Sequence, residues 1–347
     1  MKNIQVRHIL LCMVMLCAFT LTMAQVGSPM QAGHYYPGLF NLRDLSTPTP
    51  GLYVVSYNWF LSSNGYYNKD GNQVTQVQGT LPNGSPVTVK VNPSLSSFAA
   101  IPMFMYTSNL VMLKKIMGGA RYFAGVAPIY MSAKASLAAE GHSTVKDTTY
   151  SKTVSVTNSG LSDMIVTPLG LSWWTPKFDL SFVYSMYLPT GRYATGATDN
   201  LGLGFLTNQL QLFSYIYLKG DRNKAFLLGF TYELNGTKKD IDVKPGNRFS
   251  LEYGYSHYFT ERYEMSLKGS NNMQMSDDTG SAVYWDKSIH DKKGIVGLSA
   301  GYWVWKDRLE LIAKYNYEYG AVQRFQNNNV LVNLVFVTNA LRGKSGK

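Results

Sequence analysis

The feature that most constrains this chain is an alternation about ten residues long that keeps recurring. Residues 178–188 read FDLSFVYSMYL. In a strand, successive side chains point to opposite faces. Phe178, Leu180, Phe182, Tyr184, Met186 and Leu188 then share one face, and Asp179, Ser181, Val183, Ser185 and Tyr187 the other. A greasy, aromatic-bounded face of about ten residues opposite a mostly polar one is what a strand needs to cross a bilayer. A half-buried strand of a soluble sandwich has the same period, so recurrence and connection length must decide between them.

Both favour the membrane. The pattern returns at 51–61, 209–218, 225–234, 248–258, 262–269, 294–305, 309–319 and 330–337, and more weakly at 98–107 and 120–132. Tight turns at 175–177, 219–223, 260–261 and 306–307 alternate with long polar connections at 62–97, 191–208, 235–246 and 270–293. Residues 133–159 read as Ser/Thr-rich loop, and 327–329 as a loop before the last strand. About twelve antiparallel strands follow, an even number, with short turns at the periplasmic end and long loops outside. The expected fold is all-β, a transmembrane up-and-down barrel over residues 51–338, with both termini in the periplasm.

The N-terminus agrees with export. Lys2 and Arg7 precede an apolar run from Ile9 to Leu21, and Thr22-Met23-Ala24 supplies small residues for cleavage. Residues 1–24 therefore read as a signal peptide. Both cysteines, Cys12 and Cys17, lie inside it, which leaves the mature chain without disulfide, thiolate ligand or thiol nucleophile. Aromatic residues make up 14% of the chain, yet the mean hydropathy is only −0.12. A barrel reconciles the two by spreading rings over its lipid face while its lumen and loops stay polar. The net charge of +11 is scattered through turns and loops, which fits anionic lipid and lipopolysaccharide and gives no nucleic-acid patch. Residues 339–347 form a basic tail.

With the continuous apolar faces turned to lipid, Glu233, Arg248, Glu252, Glu264, Lys268, Glu310 and Lys314 point into the lumen. They suit either a rigid ion-pair filling or a polar, gated path. One strand departs from the rule. A regular 209–218 turns Phe213, Tyr215 and Tyr217 inward, an aromatic strip suited to an apolar or aromatic solute. A bulge near Ser214 would erase that strip, and it is the reading we favour. His34, His142, His257 and His290 are scattered, no nucleophile elbow occurs, and no histidine pair has metal spacing. No catalytic residue, metal or cofactor is expected.

Three stretches resemble one family of bacterial outer-membrane transporters, named for a meta-pathway of phenol degradation and distantly similar to the channels for long-chain fatty acids and aromatic hydrocarbons. They are His34-Tyr35-Tyr36-Pro37-Gly38 with Pro50-Gly51-Leu52-Tyr53; Gly160-Leu161-Ser162-Asp163 with Pro168 and Trp173-Trp174; and Leu188-Pro189-Thr190-Gly191-Arg192-Tyr193 with Gly202 and Gly204. Ser162 stands where glycine is commoner, and Phe336 is followed by Val337 and a polar tail instead of closing the chain. The resemblance implies passive uptake of small hydrophobic or aromatic compounds. The alternatives are a structural or adhesive barrel working through its loops and, last, a lipid-acting enzyme. The implied partners are outer-membrane lipid, the barrel-assembly machinery and a small solute. The resemblance also implies that residues 25–50 fold into the lumen as a hatch. Tyr35, Tyr36 and Phe40 would then pack inside, and Arg43 and Asp44 would meet lumenal charges. A periplasmic tail is the alternative for the same segment.

Overall fold

The computed structural model describes residues 32–46, 48–80, 86–143 and 148–338. The expected signal peptide, residues 25–31 of the leader that precedes the first strand, and the basic tail lie outside the described residues. The described residues form fifteen strands: β1 (Gly51–Tyr67), β2 (Gln76–Thr80), β3 (Pro86–Met112), β4 (Ala120–Ala127), β5 (Tyr130–Ser143), β6 (Thr148–Leu161), β7 (Met164–Trp174), β8 (Phe178–Leu188), β9 (Thr207–Tyr217), β10 (Lys224–Asn235), β11 (Arg248–Tyr258), β12 (Tyr263–Gln274), β13 (Lys292–Trp305), β14 (Leu309–Val322) and β15 (Arg324–Thr338). All pairings are antiparallel. The sheet closes because β1 pairs with β15 on one side, from Leu52↔Thr338 to Tyr67↔Arg324, and with β3 on the other.

The wall has twelve spans. β2 only flanks β3. β4 and β5 are one span interrupted at Pro128 and Ile129, since Phe104↔Val126 and Ala100↔Tyr130 keep one register along β3. β6 and β7 likewise continue each other across Ser162 and Asp163. Residues 133–159, expected as loop, are therefore mostly strand. They carry little apolar periodicity because both faces of the β5–β6 hairpin are largely open to water above the wall. The expected loop at 327–329 is also strand: β14 turns into β15 at Gln323, and Asn327 and Asn329 point inward.

At about 3.3 Å per residue, the eleven residues of β8 suffice to cross a bilayer at a tilt. The 27 residues of β3 run far past it, and with β2, β5 and β6 they raise one side of the rim. The outward faces are apolar. Leu210, Leu212 and Ile216 on β9, Phe226, Leu228 and Phe230 on β10, and Val330, Val332 and Leu334 on β15 all lie exposed around the cylinder. A continuous apolar belt of this extent belongs in lipid.

Two faces differ from expectation. β9 pairs with β8 and β10 without any register shift. There is no bulge at Ser214, and Phe213, Tyr215 and Tyr217 are buried inside. On β1 the aromatic face, Tyr53, Val55 and Tyr57, also turns inward, while Leu52 and Phe60 face out. The reason is the same for both strands: residues 33–46 occupy the interior and give these rings an apolar partner. Tyr35, Tyr36, Leu39, Phe40, Leu42 and Leu45 are all buried and form one cluster with Tyr57, Phe213, Tyr215 and Leu331 of the wall.

Candidate functional site

The interior is a column of charge and aromatic rings wound around residues 33–46, and it divides into three levels. At the long-loop end, the amides of His34 and Tyr35 both donate to Glu233 Oε1, at 2.8 and 2.9 Å. The His34 ring stacks on Tyr187 at 4.8 Å. Its Nδ1 lies 2.8 Å from Thr207 Oγ1 and its Nε2 3.0 Å from Asp163 Oδ2.

Asp163 sits where the wall breaks between β6 and β7, and it is 2% exposed. It also accepts from Gly191 N at 3.0 Å and Leu203 N at 2.8 Å, so it ties the 189–206 loop and the leader to one point. Thr190 Oγ1 accepts from Met164 N at 3.0 Å. A Cβ on Gly191 would meet Gly202 Cα at 2.8 Å, so the loop's two arms approach too closely for a side chain. Pro189 begins this loop, directly after β8. Pro168 lies in the register shift of β7, where its carbonyl accepts from Tyr122 OH at 2.8 Å. Asp163 of the second motif and Pro189, Thr190 and Gly191 of the third thus meet in one knot, with Pro168 nearby in the wall.

Beside it, still at the long-loop end, lies an ion network that the sequence revealed only in part. Arg248 reaches Asp291 with both terminal nitrogens at 2.6 Å. Arg324, from the far side of the barrel, reaches the same carboxylate at 2.7 Å. Lys293 pairs with Glu318 at 2.6 Å and lies 4.9 Å from the Tyr36 ring. Asp291, Lys293, Glu318 and Arg324 escaped sequence reasoning because they stand at strand ends beyond the apolar belt, where the two-residue period fades. The signal that remains is their type: four charged residues, all at or near the outer ends of β13–β15.

At mid-depth, Lys268 pairs with Glu252 at 2.5 Å and donates to Phe40 O at 3.2 Å. Tyr35 OH donates to the same Glu252. Lys314 donates to Leu39 O at 2.8 Å and Phe40 O at 3.0 Å. Tyr36 stacks on Trp59 at 4.4 Å, and Asn333 donates to Asn41 Oδ1 at 2.7 Å. The main-chain carbonyls of the inner segment thereby receive the charges of the wall, as buried polar groups require.

At the short-turn end, Arg43 Nε donates to Glu264 Oε1 and to Ser256 Oγ, both at 2.7 Å. Asp44 accepts from Tyr57 OH at 2.7 Å and from its own turn at Asn41 N, 2.7 Å. Glu310 is 6% exposed and takes part in neither contact. Leu45 N donates to Tyr215 OH at 3.2 Å, and Tyr217 OH to Asp179 Oδ2 at 2.9 Å. The aromatic strip of β9 therefore faces the inner segment, and only Tyr217 borders open space. That space is a cavity of about 1230 Å³ bordered by Pro48, Thr49, Tyr53, Met103, Arg222 and Glu310, among others. Among the described residues, no three His, Cys, Asp or Glu side chains are grouped to hold a metal ion.

The family model described as "Putative MetA-pathway of phenol degradation" matches residues 79–334. The chain belongs to this family. The matched stretch holds the second and third motifs of the resemblance, and the first, at 34–53, lies before it. Curated proteins give no match. The crystal structure of the COG4313 outer membrane channel from Pseudomonas putida F1 aligns over 86% of this chain and 100% of its own, at 12% identity and a TM-score of 0.62. A Pseudomonas aeruginosa FadL homologue covers 90% of this chain and 96% of its own at 12% identity, with a TM-score of 0.37. The translocator domain of NalP from Neisseria meningitidis covers 85% and 91% at 12% identity, with a TM-score of 0.45. The first of these establishes the fold as that of an outer-membrane β-barrel.

Proposed function

We propose that this barrel is a passive outer-membrane channel for small hydrophobic or aromatic compounds, and that residues 33–46 are its hatch. The observation that carries the reading is how the inner segment is held. It is anchored by hydrogen bonds and ion pairs to side chains on β1, β8–β12, β14 and β15, with no covalent tie except the chain itself at Pro48 to Pro50. Such contacts exchange with water at modest net cost, so the segment can leave while the wall stands. A twelve-stranded cylinder lies between the side-chain-filled eight and the water-filled sixteen, which makes an inner segment the natural control of its bore. The Pseudomonas putida neighbour that shares the fold is an outer membrane channel, and uptake through a bore requires no catalytic group. The further partners of this reading are lipopolysaccharide at the outer rim, outer-membrane lipid along the belt, and the barrel-assembly machinery.

The test is removal of residues 25–47 from the mature chain. The truncated barrel should still assemble, as judged by the shift between folded and heat-unfolded bands on a gel. Its single-channel conductance and its uptake of small aromatics in proteoliposomes should rise severalfold. A truncated barrel that conducts like the full-length one refutes the hatch; closure to every ion and solute tried, in both forms, refutes the channel.

The raised hairpin β5–β6 supports a second reading, a barrel that acts through its outer surface. Shortening that hairpin by residues 138–152 would then abolish a surface interaction and leave permeability unchanged.

A further inference from the structure

The cavity at the short-turn end is larger than a drug-sized site needs, and its walls are unlike one another. On the β15–β1–β3 side it is apolar, with Val335, Tyr53, Met103 and Met105. On the β12–β14 side it is acidic. Six charged side chains face it: Arg43, Asp44, Arg222, Glu264, Asp307 and Glu310.

Both cations are already engaged. Arg43 binds Glu264, and its remaining nitrogens donate to the carbonyls of Arg222 at 2.7 Å and Asn223 at 2.9 Å. Arg222 clamps Asp179 through two nitrogens, at 2.6 and 3.1 Å, and Asp179 does not border the cavity. Among the described residues, three carboxylates are left without a cation. Asp44 is satisfied by neutral donors, and Asp307 is exposed on its turn. Glu310 is neither: it is 6% exposed, and its Oε1 is buried with no hydrogen-bond partner among the described residues. A buried carboxylate oxygen left in this way is costly, and a donor entering from the cavity relieves it.

We propose that this cavity binds organic cations, amines with an apolar or aromatic body, and that Glu310 is the residue that selects their charge. The ammonium would sit against Glu310, within the field of Glu264 and Asp44. The body would lie along Met103 and Met105, with Trp303 also lining the space and available for cation–π or edge contact. The proposal rests on the channel reading, which brings solutes to this end of the bore, and it names a class of solute held there.

The experiment is calorimetric titration of the full mature barrel, folded in detergent at neutral pH, with benzylamine, benzyl alcohol and benzoate. Benzylamine should bind at least tenfold more tightly than either of the others. Glu310→Gln should remove about tenfold of that affinity and leave benzyl alcohol unchanged. Asp307→Asn, at an exposed site that a fold tolerates, should weaken benzylamine by a smaller factor and serves should the Glu310 variant not fold. Equal binding of all three compounds, or benzylamine binding unaltered by both substitutions, overturns the site. Binding in detergent needs no open path, so a barrel that binds benzylamine and conducts nothing keeps the site and loses the channel. One that takes up solutes without a charge-dependent site does the reverse.

Discussion

Asp291 holds two arginines in a place water does not reach, and neither arginine can shed its charge. Asp291→Asn leaves two buried like charges facing one amide. Loss of one partner from such a pair costs about 3–5 kcal/mol, and we expect that order of loss in urea titrations of the barrel in lipid. The arginines are not equivalent, since the Arg248 side chain is 1% exposed and that of Arg324 16%. Arg248→Met should therefore destabilise more than Arg324→Met; the reverse order would show that the site is wetter than its geometry. Lys314 offers a different test. Its ammonium is spent on two carbonyls of the inner segment, so Lys314→Met should spare the barrel and loosen that segment. A cysteine placed at position 40 should then react with a thiol reagent several times faster. Residues such as Glu264 and Lys268 were legible from sequence because each stands opposite an apolar face. Phe213 and Tyr215 were not, since a ring on the lumenal face makes sense only once something apolar is known to fill the lumen.

The elements that were easiest to read are those bounded by lipid on one side and polar interior on the other. β8, β10 and β14 show the two-residue period over their whole length, and their faces fall where the period puts them. β5 and β6 project past the belt, lose the requirement for an apolar face, and read as loop. Loops outside the membrane carry their own chemistry. Lys238, in the 236–247 loop, lies half-buried over the Tyr193 ring at 5.7 Å. Burial pushes its pKa down to about 8, against the opposing pull of Asp278. A lysine lowered in the folded state binds fewer protons there than when unfolded, so stability rises with pH between about 8 and the usual lysine value near 10.4. The unfolding midpoint of the folded gel band should therefore climb from pH 7.5 to 9.5. In Lys238→Met that slope should shrink; an unchanged slope would assign it to other groups.

At the scale of the whole molecule, a closed wall surrounds an inner segment that packs against it. Wall residues such as Ile101, Phe123 and Val183 already share one buried apolar cluster, and residues 35–45 bring further rings to it. The segment also touches both strands of the closing seam, through Tyr57 on β1 and Asn333 on β15. That placement fixes the direction in which the segment can move. It is joined to β1 by only a few residues, and with Leu52 to Tyr67 zipped onto β15 there is no lateral way in or out. It can leave only along the bore, through the short-turn end, on a tether that keeps it beside the mouth it shuts.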